Sequence, residues 1–259
     1  MGCLALVLAT RAAWADGGAS AGDDLKACKG LPAHAKAEAI SDDAVYVAGR
    51  FLAFPHQEGG GCEVYAVARP AAQVGGHFGS GSKAFAVKAS RCSADSCPVV
   101  IAVRGKDDKP LAAVRTDIDC DRGVDLQPIQ LFPGRDDLQV VCRVSAGAGW
   151  KERRLLVEVK DGALTPFYLL DTGSYIALSP AEKRAGGTPS CPVGSIKVEK
   201  AGDRPLLRVV DPASGALHNG KGTLPARQMA YDPAHHEVKP TGAPDIPTEV
   251  DAHAGCHPR

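Results

Sequence analysis

The chain has 259 residues, with 30 Lys and Arg matched by 30 Asp and Glu, so its formal net charge is zero. That balance argues against nucleic acid, which is met by a basic excess or a basic stripe because affinity rests on neutralising phosphates. Only 5% of the residues are aromatic, which argues against a sugar cleft walled by exposed rings.

In chain order, the first predicted element is a leader. The apolar run Leu4-Ala5-Leu6-Val7-Leu8-Ala9 followed by Ala13-Trp14-Ala15 has the small-x-small pattern of a secretory signal peptide, residues 1–15, cut after Ala15. The run is far shorter than the ~20 apolar residues that cross a membrane, and no later stretch approaches that length, so no transmembrane segment is expected. Residues 16–24 have the Gly, Ser and Asp content of a flexible linker. Asp24 is placed to cap a short helix through Leu25-Lys26-Ala27-Cys28, with residues 33–40 adding a turn or two beyond Pro32.

From Ala44 the texture becomes β. Short runs at residues 45–47, 63–67, 85–87, 99–103, 112–115, 127–132, 138–144, 155–159, 164–170, 195–198, 206–210 and 228–231 are rich in Val, Ile, Leu, Phe and Tyr, many bounded by Gly, Pro or Asp. Lys160-Asp161-Gly162-Ala163 is a strong hairpin signal, because Asp-Gly suits the positive φ angles of a two-residue primed turn. Gly79-Ser80-Gly81-Ser82-Lys83 lacks the Gly-Lys step of a phosphate-binding loop and reads as a hairpin loop. Lys151-Glu152-Arg153-Arg154 reads as a solvated strand edge that discourages aggregation. About a dozen short strands without interleaved helices predict an all-β domain over residues 25–232, a β-propeller-like or repeated β-sandwich architecture with a short N-terminal helix and disulfides. Residues 96–119 and 190–212 both begin Ser-Cys-Pro-Val and run through a strand and a basic-Pro-Leu step into a second strand, a hint of duplication. Residues 233–259, with five prolines, read as an extended C-terminal tail tied down by Cys256.

Of nine cysteines, eight follow the leader: Cys28, Cys62, Cys92, Cys97, Cys120, Cys142, Cys191 and Cys256. An even number spread along the chain points to disulfides in an oxidising compartment, and neighbour pairing gives 28–62, 92–97, 120–142 and 191–256. Zinc is the competing reading, but no Cys-x2-Cys pair exists. The protein is therefore expected to be exported, whether periplasmic, surface-bound or extracellular.

Three groups of residues are candidates for chemistry. Asp117, Asp119, Asp121 and Asp125 occupy positions 1, 3, 5 and 9 of one loop, and alternate carboxylates on a curling loop converge as hard oxygen ligands for Ca2+. This stretch, through Gly134-Arg135-Asp136-Asp137-Leu138, resembles the calcium loops of FG-GAP-type β-propeller repeats, whose pattern is Asp-x-Asp-x-Asp-Gly-x-x-Asp-Leu. The resemblance implies calcium on the four aspartates. Its glycine falls one place late, at Gly123, so Arg122 would have to take the tight-turn conformation; an acidic surface turn is the alternative.

Leu169-Leu170-Asp171-Thr172-Gly173-Ser174 resembles the catalytic strand of aspartic proteases. That chemistry needs two carboxylates sharing a proton. No second motif exists, so the resemblance implies a retropepsin-like dimer using Asp171 from each copy; the alternative is a strand that ends in a turn. His235-His236, His253 and His257 read either as a metal cluster or as exposed tail residues. No Gly-x-Ser-x-Gly or His-Glu-x-x-His is present. The expected function is a calcium-stabilised or metal-free binding or structural module for a protein or glycan ligand, with no assigned catalytic residue.

Overall fold

The computed structural model describes residues 37–41, 44–47, 49–55, 62–67, 69–88, 98–147, 149–185, 189–215 and 217–254. The expected leader, linker, Asp24-capped helix, Cys92–Cys97 bridge and His257 lie outside the described residues. Within them the chain is all-β. It forms four antiparallel sheets, each drawn from one continuous stretch of sequence.

Sheet I holds β1 (Ala37–Ser41), β2 (Ala44–Val47), β3 (Phe51–Pro55) and β4 (Cys62–Ala66). Sheet II holds β5 (Ala72–Phe78), β6 (Gly81–Lys88), β7 (Pro98–Arg104) and β8 (Pro110–Asp119). Sheet III holds β9 (Gly123–Ile129), β10 (Asp137–Ala146), β11 (Gly149–Lys160) and β12 (Ala163–Tyr175). Sheet IV holds β13 (Ser195–Lys200), β14 (Leu206–Val210), β15 (Lys221–Asp232) and β16 (Glu237–Pro240), and β17 (Ile246–Asp251) pairs with the first half of β15.

Each sheet pairs its strands in sequence order, and several of the connections are tight hairpin turns. Asp161 and Gly162 both have positive φ, 50° and 79°, as a primed two-residue hairpin turn requires. Asn219 and Gly220, at 49° and 75°, make the same turn ahead of β15. That Asn-Gly signal is as clear in the sequence as Asp-Gly.

The sheets stack face to face, and alternation along the strands divides their side chains between neighbours. On β7, Val99, Ile101 and Val103 join Leu138, Val140 and Val157 of sheet III in one core cluster. Val100 and Ala102 turn the other way, onto Leu52, Phe54 and Tyr65 of sheet I. Burial on both faces is why β7 reads Val-Val-Ile-Ala-Val without a polar break: a sheet covered on both sides cannot alternate apolar with polar. A third cluster joins Leu156 and Leu170 of sheet III to Ile196, Leu207 and Val209 of sheet IV.

Cys120 and Cys142 form a disulfide with their Cα atoms 4.9 Å apart, and both are fully buried. The bridge ties the turn that leaves sheet II to the second strand of sheet III, as neighbour pairing predicts. Cys62 and Cys191 are also disulfide-bonded, with partners outside the described residues.

Several expectations are corrected. Residues 37–41 form β1 rather than helix, because they pair with β2 from Ala37 to Ser41. A helix lies instead at α1 (Pro180–Arg184). Ser179 and Glu182 cap it reciprocally: Ser179 N–H donates to Glu182 Oε2 at 2.7 Å, and Glu182 N–H to Ser179 Oγ at 3.3 Å. The stretch read as an extended C-terminal tail contributes β16 and β17, both laddered to β15. The basic run at residues 151–154 is no strand edge, because β11 is paired on both sides. The two Ser-Cys-Pro-Val hairpins occupy different places, third and fourth in sheet II but first and second in sheet IV. What repeats is the meander, not that hairpin.

The bridge is expected to matter for stability. It closes a loop of 22 residues, for which lost chain entropy in the unfolded state amounts to about 3 kcal/mol. Denaturant unfolding of the Cys120→Ser/Cys142→Ser double variant should show a loss of that order, with the β-rich circular dichroism retained.

Candidate functional site

The acidic turn lies where the chain passes from sheet II to sheet III, and there its carboxylates are spent on internal partners. Asp121 accepts the N–H of Ser145 at 2.8 Å and its hydroxyl at 2.5 Å. Burial pushes the Asp121 carboxyl upward, but these hydrogen bonds outweigh it and hold the group below the ordinary carboxylate value. Arg122 Nε donates to the same Ser145 hydroxyl at 2.8 Å. Arg122 stays out of the left-handed region that the calcium-loop resemblance requires of it.

Asp125 accepts Arg143 Nη2 at 2.8 Å. Asp119 ends β8 opposite Pro98, and the side chain of Asp117 is outside the described residues. Among the described residues, no three His, Cys, Asp or Glu side chains gather as a metal-binding group.

Asp171-Thr172-Gly173 does not close its strand, which continues to Tyr175. Instead it forms a bulge: Glu152 pairs with Gly173 and Arg153 with Asp171, leaving Thr172 as the extra residue. The bulge turns Thr172 inward, fully buried, where its hydroxyl lies 3.1 Å from both the Glu152 carbonyl and Glu152 Oε1. Gly173 takes φ 109°, a region that favours glycine. Its neighbour Gly194 donates to the Thr172 carbonyl at 2.9 Å, an approach so close that a Cβ there would sit 2.6 Å from Thr172 Cα. Asp171 points outward, with 65% of its side chain exposed, and pairs with Arg153 at 2.8 Å. The motif thus joins sheet III to the chain entering sheet IV.

The face of sheet III turned toward sheet IV carries the groups the sequence did not single out. The β10–β11 register sets Gln139 opposite Leu156, Val141 opposite Arg154 and Arg143 opposite Glu152, and Asp137 and Glu158 flank its first pair, Leu138 with Val157. At one end, Glu158 is almost fully buried and accepts Arg135 Nη2 and Tyr231 Oη, each at 2.5 Å. Tyr231 comes from β15, is fully buried, and stacks on Phe167 at 3.9 Å. Burial and the Glu158 carboxylate push its hydroxyl pKa upward. His236 Nδ1 lies 2.9 Å from Tyr231 Oη and 3.4 Å from Glu158 Oε2.

Asp137 is the exception in this cluster. Its Oδ1 accepts the Val159 N–H at 2.8 Å, while its buried Oδ2 and the buried Arg135 Nε have no partner. Burial pushes the Asp137 carboxyl up to about 6; the neighbouring Glu158 adds to the rise, and the Val159 N–H and Arg135 oppose it.

Beside this cluster an open cleft of about 490 Å3 separates sheets III and IV. Gln127, Gln130, Gln139, Arg154 and Lys197 line it together with Ile196. Gln139 Nε2 donates to Gln127 Oε1 at 2.8 Å, fixing one amide edge of the cleft. No carboxylate is among its lining residues.

No protein-family model matches the chain, and neither the curated proteins nor the solved structures contain a match. No described helix is long and apolar enough to cross a membrane.

The aspartate and threonine of the bulge are expected to differ sharply on substitution. Asp171→Asn removes an exposed ion pair and should change unfolding free energy by less than about 1 kcal/mol. Thr172→Val strips a buried hydroxyl from Glu152 and should cost about 1–3 kcal/mol. Urea unfolding of the two variants provides the comparison.

Proposed function

We propose that this is an exported, disulfide-stapled, non-catalytic binding module whose ligand face is the cleft between sheets III and IV, taking an anionic, oxygen-rich ligand such as an acidic peptide segment. The cleft's lining carries the reading: side-chain amides and cations, mixed with apolar residues and without a carboxylate. Glutamine amides offer both donors and acceptors, and Lys197 supplies positive potential beside Arg154, which is itself paired with Glu152, so a carboxylate-bearing chain finds partners there. Export is supported by the leader pattern and by the engagement in disulfides of all four cysteines among the described residues.

Two features favour binding over catalysis. The aspartate of the protease-like motif is held by Arg153 on an outward strand face, and Asp121 and Asp125 are held by Ser145 and Arg143. A calcium ion at the acidic turn would have to displace those partners. Binding there would therefore compete with internal hydrogen bonds rather than fill a prepared cage.

Fluorescence anisotropy with a labelled oligoglutamate peptide at low salt tests the proposal. The expected outcome is saturable binding that weakens at least tenfold in Lys197→Glu and is lost progressively as salt is raised. Equal binding by the variant, or none by the native protein, rejects this ligand face.

A further inference from the structure

We propose that the buried Asp137–Glu158 carboxylate pair, served by Arg135 and closed by Tyr231 and His236, is a pH-responsive latch that holds sheet IV on sheet III at acid pH and loosens it near neutrality. The inference is independent of what fills the cleft.

The geometry sets up a shortage of partners. Asp137 and Glu158 flank the first pair of the β10–β11 ladder and share one guanidinium, that of Arg135, an arrangement that is unfavourable when both are ionised. Glu158 takes the strong partners, Arg135 Nη2 on one oxygen and Tyr231 Oη on the other. Asp137 keeps the Val159 N–H at 2.8 Å, a weaker backbone contact from Leu131 and the Arg135 Nε at 3.7 Å, and its buried Oδ2 has no hydrogen bond of normal geometry. A carboxylate buried with an unsatisfied oxygen is costly as an anion and much less so as a neutral acid.

The surrounding charges favour the same assignment. Asp136, on the same segment, is engaged elsewhere, accepting the His77 N–H at 2.7 Å. Arg135 also stacks its guanidinium over Phe132, 4.2 Å from the ring centre, which fixes its position. From sheet IV come Tyr231 and, in the turn before β16, His236; Asp232 and His235 pair with each other at 2.9 Å. His236 Nδ1 lies 3.4 Å from Glu158 Oε2 and 2.9 Å from Tyr231 Oη, so it closes the cluster from the sheet IV side. The contacts that cross between the sheets here run from Tyr231 to Glu158 and to Phe167, the first of them made through the carboxylate that shares Arg135 with Asp137.

The sign follows from linkage. A carboxyl whose pKa is raised from 3.8 to about 6 in the folded protein contributes stability fully below about pH 4, and that stability is lost as pH rises through about 6.

The test uses the full chain with its disulfides intact. Thermal melts of the native protein should show Tm falling by roughly 3–5 °C between pH 5 and pH 7.5, and Asp137→Asn should remove at least half of that slope. A native protein without the slope, or an Asn variant that keeps it, overturns the latch. If the Asn variant does not fold, hydrogen exchange on the native protein decides, corrected for intrinsic rates at pH 5 and pH 7. Protection in β15 and β16 should fall at least tenfold more than in sheet I. An equal change in both sheets overturns the proposal.

Discussion

Burial of sheet II against sheet III, through Ile101, Val103, Leu138, Val140 and Val157, is the contact on which the remaining arrangement depends. Both sheets are also covered on their outer faces, so each must present apolar groups in two directions. That requirement explains the unbroken run of β7. It also explains why Cys120 and Cys142 sit at this junction: a bridge between two wholly buried sulfurs fixes the order and spacing of the sheets without interrupting the core. The outer sheets then add one face each, and what they leave uncovered is where polar chemistry is tolerated.

The interface between sheets III and IV obeys a different rule. Its apolar patch, from Leu156 to Leu207, is flanked by Gln139, Arg154, Glu152, Asp137 and Glu158, so much of that face of sheet III is polar. Buried polar groups are tolerable only when partnered. Most of these are: Glu152 by Thr172 and Arg154, Glu158 by Arg135 and Tyr231. The unpartnered oxygen of Asp137 stands out because its surroundings are otherwise well satisfied. An interface built in this way is held by hydrogen-bond geometry and protonation as much as by contact area.

Much of the fold was legible in the sequence because its determinants are local. The runs at Val99–Val103 and Leu138–Val144 fall inside β7 and β10, and Asp161-Gly162 makes the turn expected of it. β5 went unread because Gln73, Gly75, Gly76 and His77 break the apolar signal, and β17 because its two-strand ladder accommodates Pro247 at a sheet edge. The candidate site was far less legible. Asp137 and Glu158 are 21 positions apart in sequence, and Tyr231 is 73 positions beyond Glu158, so only the β10–β11 register and the docking of sheet IV bring them together. The motifs that did attract attention, Asp-Thr-Gly and the alternating aspartates, are rich in good turn and bulge formers. Their local chemistry explains them without a ligand.

Because every sheet is assembled from neighbouring stretches of chain, this protein can be built in the order in which it emerges. Sheet I is complete before β5 appears, and sheet II before β9. Few pairings wait on distant sequence, which favours rapid, stepwise growth with little exposed edge at any moment. The Cys120–Cys142 bridge can close once β10 arrives, locking the first half before sheet IV exists. Only β17 must reach back past β16 to find its place on β15. That layout lets each completed sheet become the template for the next, with β17 acting as the clasp.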